Sequence, residues 1–183
     1  MELVHYTRFK NIEGIRKHGL IRDMEGNGFT RKLNTCLNPY KPEGWPEFLD
    51  LNRCVFLAPI NSRYGFHENP SLMSIYGNVR VLSRGLNEDK LYTAPYSKSS
   101  EMTSLVNTRT AKIKDLNKFE ELCRSYWDNI VPFSQYQAKY SNVNFLNDDS
   151  ENVEVLYFGN IPPNKIWFKK RGSRDYERGT RRY

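Results

Sequence analysis

Glu151-Asn152-Val153-Glu154-Val155-Leu156-Tyr157-Phe158-Gly159-Asn160-Ile161-Pro162-Pro163 reads as a β-strand closed by a turn. β-branched and aromatic residues run up to Gly159, and a double proline ends the run. On a period of two, Val153, Val155 and Tyr157 share one face, while Glu154, Leu156 and Phe158 share the other. Glutamate is depleted at such a mid-strand position, and a buried carboxylate is costly unless it is partnered. A solvated face explains Glu154 equally well when the strand is taken alone. The residue becomes informative only beside the opposite end of the chain.

The 183 residues suit one domain with a sizeable core. Mean hydropathy is −0.74, yet 12 Tyr and 10 Phe supply large apolar surfaces for packing. No apolar run approaches the roughly 18 residues of a membrane span, and the start Met-Glu-Leu-Val-His lacks the pattern of a signal peptide. Cys36, Cys54 and Cys123 are odd in number and widely separated, which argues against a disulfide framework or a zinc site and for the cytoplasm. The net charge of +7 favours a polyanionic partner. Between Lys169 and Tyr183 stand seven Lys/Arg against Asp175 and Glu177, so residues 169–183 read as a basic C-terminal tail following a domain over 1–168. Such a tail can track phosphates, or can merely aid solubility.

Along the chain, Leu3–Thr7 reads as a strand, and Thr7 as the N-cap of a helix with Phe9, Ile12 and Ile15 on one face and Gly19 as its stop. From Arg22 to Asn52 periodicity is lost among Gly, Asn and Pro, the pattern of a functional loop. Cys54–Pro59 reads as a buried strand, Asn69–Tyr76 as a short helix stopped by Gly77, Val79–Leu82 and Leu91–Tyr96 as strands, and Ser97–Ser104 as a loop. Leu116–Asp128 is the clearest helix, with Phe119, Leu122, Cys123, Tyr126 and Trp127 on a core-facing stripe and Asn117 with Glu120 as a capping box. Asn129–Ser150 carries no evident element, and Ile166-Trp167-Phe168 reads as a strand pairing near the Glu154 strand. The class is α+β.

His5-Tyr6-Thr7, Asn11-Ile12-Glu13-Gly14-Ile15 and His18-Gly19-Leu20 together resemble the opening of ADP-ribosyltransferase folds, most closely the DarT family. Val153-Glu154-Val155-Leu156 with Ile161-Pro162-Pro163 is similar to that family's strand bearing the catalytic glutamate. The two ends match over about 35 residues, and the middle is loose. The resemblance implies an ADP-ribosyltransferase-like split β-sheet with an NAD cleft and a few flanking helices. It makes Glu154 the catalytic carboxylate, stabilising positive charge as the nicotinamide–ribose bond breaks. It places His5, Tyr6 and Thr7 at the adenine-side ribose, with Tyr76, or else Tyr64, stacked on nicotinamide. The family's arginine corresponds to Arg31 in the Gly-rich segment or to Arg53 before the Cys54 strand; Arg31 is narrowly preferred.

DarT relatives modify a base in single-stranded DNA, so the expected acceptor is nucleic acid, DNA before RNA, with an antitoxin or hydrolase as counterpart. Asn152 stands where arginine-modifying transferases carry a glutamate or glutamine, which argues against arginine as acceptor, although Glu151 leaves an opening. The alternatives are a protein acceptor, an RNA 2′-phosphotransferase drawing on Arg80 and Arg84, and a non-catalytic nucleic-acid-binding module. No metal site is expected.

Overall fold

In a computed structural model, residues 1–21, 28–60, 76–106, 112–140, 153–169 and 176–179 are described. Eight strands form one sheet: β1 Glu2–Arg8, β2 Val55–Pro59, β3 Tyr76–Leu82, β4 Leu91–Pro95, β5 Val131–Pro132, β6 Val153–Tyr157, β7 Ile166–Lys169 and β8 Tyr176–Arg178. Their order is β5-β4-β6-β2-β1-β3-β7-β8, with every neighbouring pair antiparallel. The helices are α1 Ile12–His18, α2 Gly28–Leu37, α3 Tyr96–Leu105, α4 Leu116–Asp128 and α5 Phe133–Tyr140. The molecule is therefore mixed α+β. Among the described residues no helix is long and apolar enough to cross a membrane.

Each face of the sheet has its own core. On one, Leu3, Leu57, Val79, Val81, Val155 and Tyr157 pack with Ile15 of α1 and with Phe133 and Tyr136 of α5. On the other, Ala94, Leu156 and Phe158 pack with Leu37 of α2, Met102 of α3 and the α4 stripe Phe119, Leu122, Cys123, Tyr126 and Trp127. The period-two reading of residues 153–158 thus holds, with both faces apolar and buried, not one of them solvated.

Several elements differ from expectation. Thr7 lies inside β1 and does not cap; its hydroxyl accepts from Asn11 Nδ2 at 3.2 Å. The α-helix begins only at Ile12, after a 3-10 turn over Phe9–Asn11 that leaves Phe9 54% exposed. The expected loop over Arg22–Asn52 contains α2, held by Leu37 in the core, by Asn34 donating to the Leu51 carbonyl at 2.9 Å and by the Trp127 indole donating to the Leu37 carbonyl at 2.7 Å. These tertiary anchors outweigh its poor local pattern. Tyr76 and Gly77 belong to β3, not to a helix end; residues 69–75 of that expected helix lie outside the described residues.

Ser97–Ser104 is helical: Met102 is buried against the α4 stripe, which overrides the polar local pattern, while the hydroxyls of Ser99, Thr103 and Ser104 turn back onto the Tyr96, Ser99 and Glu101 carbonyls. Asp115, not Asn117, caps α4 by accepting from the Lys118 N–H at 3.0 Å. Residues 131–140 form β5 and α5 where no element was expected. Ile166–Phe168 pairs with β3 and β8, not with β6. The expected boundary after residue 168 falls inside β7, and Tyr176–Arg178 of the expected tail is an edge strand tied down by an Arg16–Glu177 ion pair of 2.7 Å. Residues 170–175 and 180–183 lie outside the described residues.

Gly19 ends α1 at φ 83, and the N–H and carbonyl of Leu20 pair with those of Ile161 at 2.9 and 2.8 Å. A Cβ on Gly19 would come within 2.2 Å of the Ile161 carbonyl oxygen. Backbone strain and clash coincide there. Gly19→Ala is expected to destabilise by about 2 kcal/mol or more, lowering the melting temperature by about 4–8 °C; differential scanning calorimetry of the two proteins measures it.

Candidate functional site

The ladder between β1 and β2 holds only two pairs, Leu3↔Pro59 and Val4↔Ala58, whereas β1 and β3 pair along seven residues from Glu2 to Arg8. Beyond Val4 the pairing of the first two strands stops. His5, Tyr6 and Thr7 follow on β1 where it stops, with Thr7 buried. His5 bridges to β2: its Nδ1 stands 2.9 Å from the Phe56 carbonyl oxygen. A carbonyl only accepts, so Nδ1 carries the proton and Nε2 is left with an acceptor lone pair. Burial lowers the His5 pKa, with the Phe56 hydrogen bond partly opposing it, so the neutral ring is favoured.

Glu154 is buried, 5% exposed, in the middle of β6. Tyr126 of α4 donates its hydroxyl to Glu154 Oε1 at 2.9 Å, and Ser99 of α3 also hydrogen-bonds the carboxyl. Burial pushes the carboxyl up from an ordinary 4.5 to about 7, against the opposing effect of Tyr126 and then Ser99. Burial also raises Cys54 and Tyr96, and in both the charge of Glu154 adds to the effect. Ser99 has one hydroxyl proton and already donates to the Tyr96 carbonyl at 3.1 Å. A protonated Glu154 can donate to Ser99 while accepting from Tyr126, which satisfies every group without competition.

The register decides which residues share a face. Ala94 opposes Glu154, Ala58 opposes Val4, Val4 opposes Arg80, Arg80 opposes Trp167, and Trp167 opposes Arg178. Continuing the Val55↔Tyr157 and Leu57↔Val155 register by one step sets Glu154 opposite Ala58. One row thus crosses seven strands on one face, with Glu154 two strands, about 10 Å, from β1. Tyr6 is on that face by alternation, whereas His5 and Thr7 alternate toward the opposite core. The expected His5–Thr7–Glu154 grouping is thus divided: Tyr6 faces the Glu154 side, and His5 enters from the strand edge. Tyr6 is half-buried and pushed up to about 12, by burial first and by Tyr176 next, with Arg80 opposing.

Arg31 lies on α2, not on a loop, and its side chain is outside the described residues. Arg53 is exposed in the turn just before β2, at the end where β1 and β2 part. Tyr76 starts β3 opposite Arg8, with its side chain outside the described residues; Tyr64 lies outside them altogether. Sequence reading placed Tyr126 in the core and took Ser99 for a loop residue. Nothing in their local pattern signals a carboxyl partner 28 and 55 positions away.

The described residues define an α+β protein with an eight-stranded antiparallel sheet and a buried carboxyl whose pKa is raised by that burial. Comparison with protein families, curated proteins and solved structures finds no match to this chain.

The raised pKa sets a stability trend. Because the folded carboxyl holds its proton more tightly than the unfolded one, stability is full below about pH 4.5 and is lost as pH rises through about 7. The shift corresponds to roughly 3 kcal/mol at most. Urea unfolding at pH 5 and pH 8 is expected to show wild type losing up to that amount relative to Glu154→Gln. Parallel behaviour of the two proteins would mean that the carboxyl is not in an apolar setting.

Proposed function

We propose that the chain is an NAD-dependent ADP-ribosyltransferase on a DarT-like fold, acting on nucleic acid, with a base of single-stranded DNA as acceptor. The observation that carries this reading is the short β1–β2 ladder, with His5 where it stops and buried Glu154 separated from β1 by Ala58 alone. The His5 Nε2 lone pair suits a ribose hydroxyl. Arg53, exposed just before β2, is a candidate partner for a pyrophosphate.

In the reaction, the bond between nicotinamide and ribose breaks, with nicotinamide keeping the electron pair. The ribosyl carbon then bonds to the acceptor base, and the proton displaced from that base passes to Glu154. Glu154 must be ionised at the outset, both to stabilise the developing positive charge and to take that proton. Tyr126 favours the ionised form by donating to it. A protein acceptor remains the alternative within the same chemistry.

Incubation with 32P-NAD and single-stranded DNA, RNA or lysate protein tests the proposal. Label is expected on the single strand, with a rate that rises with pH through about 7 as Glu154 ionises. Glu154→Gln is expected to lower the rate by at least about 100-fold. Labelled protein alone would redirect the acceptor. No label on any of the three would refute the transferase reading.

A further inference from the structure

Beyond Val4, the row that carries Glu154 passes onto β3, β7 and β8. Among the described residues, the helices on this face, α2, α3 and α4, pack with residues of β2, β4 and β6, while α1 lies on the opposite face, with Ile15 in its core and Arg16 4.4 Å above the Phe168 ring. The β1–β3–β7–β8 half of the Glu154 face presents Tyr6, Arg80, Trp167, Tyr176 and Arg178, none of them fully buried. Trp167 sits between two arginines, opposite Arg80 on one side and Arg178 on the other.

The cluster is fixed in place. Arg80 lies 3.8 Å above the Tyr176 ring and pairs with Glu2 at 2.8 Å, and the Tyr176 hydroxyl donates to Asn78 Oδ1 at 2.7 Å. Arg178 is anchored through Nε to the Asn164 carbonyl and is exposed. Glu177 alternates to the other face, where Arg16 holds it, so β8 offers this face its cation and not its carboxylate.

We propose that this face binds a single-stranded nucleic acid, with bases stacked on Trp167 and Tyr6 and phosphates held by Arg80 and Arg178. Among the described residues no helix packs on this half of the face, and partly exposed rings on a sheet stack only on bases freed from pairing. Cations interleaved with those rings, on a chain of net charge +7, complement a polyanion. Arg80 is three strands from Glu154, about 14 Å, with Val4 and Ala58 between them both buried. The binding surface therefore stands apart from the carboxyl and does not rest on the transferase reading.

Fluorescence anisotropy with labelled 12-nucleotide DNA and RNA single strands and a DNA duplex, measured without NAD, tests the surface. Either single strand is expected to bind more tightly than the duplex, and the two arms tell DNA from RNA. Trp167→Leu is expected to weaken binding at least about fivefold. Arg178→Ala is expected to weaken it and to reduce the slope of log affinity against log salt by about 0.7. Lys17→Ala, on exposed α1 over the other face, is expected to bind as wild type. No binding by wild type, tighter binding of duplex, wild-type affinity in both platform variants, or an equal loss in Lys17→Ala would each overturn the proposal. Transfer without this binding would leave the enzyme and remove the surface; binding without transfer would do the reverse.

Discussion

The shortness of the β1–β2 ladder governs the rest of the structure. Two residue pairs join the halves of the sheet, while each half is paired along its own strands. Where the ladder stops, backbone carbonyls in the middle of a sheet lack strand partners, and an unpaired one is costly there. His5 answers the need of the Phe56 carbonyl, at the expense of fixing its own tautomer. A structural requirement and a chemical preparation are therefore met by the same hydrogen bond.

Glu154 illustrates a second coupling. Its hydroxyl partners come from α3 and α4, so the helical layer and the carboxyl orient each other. A charged Glu154 would strain this arrangement, since among the described residues no cation is recorded as offsetting its burial. A site that needs the carboxylate must therefore spend stability when it ionises, which is the usual compromise where a fold carries chemistry.

Much of this was legible in the sequence where local pattern and burial agree. Residues 116–128 follow helical spacing to both ends, and residues 153–157 follow strand alternation, because their apolar positions meet cores directly. Legibility failed where tertiary contacts overrule local preference. α2 depends on Trp127 and Leu51 from distant elements, and the serine-rich α3 on the burial of Met102 against α4. At the site, the identity of Glu154 as an odd strand residue could be read, but its partners could not. That His5 and Glu154 lie on opposite faces could not be read, because alternation inside one strand says nothing about register between strands.

The row from Ala94 through Glu154, Ala58, Val4, Arg80 and Trp167 to Arg178 draws one residue from each of seven strands scattered along most of the chain. Apart from Trp167 and Arg178 on the consecutive strands β7 and β8, none of these positions is close in sequence to its neighbour in the row. The row exists only once pairings of high sequence separation have closed, which makes it a late and cooperative product of folding. No isolated hairpin can bring Glu154 to Arg80. The amide protons of the inner strands β6, β2 and β1 should exchange with the slowest class of the molecule, so the candidate carboxyl sits in the most protected unit of the fold.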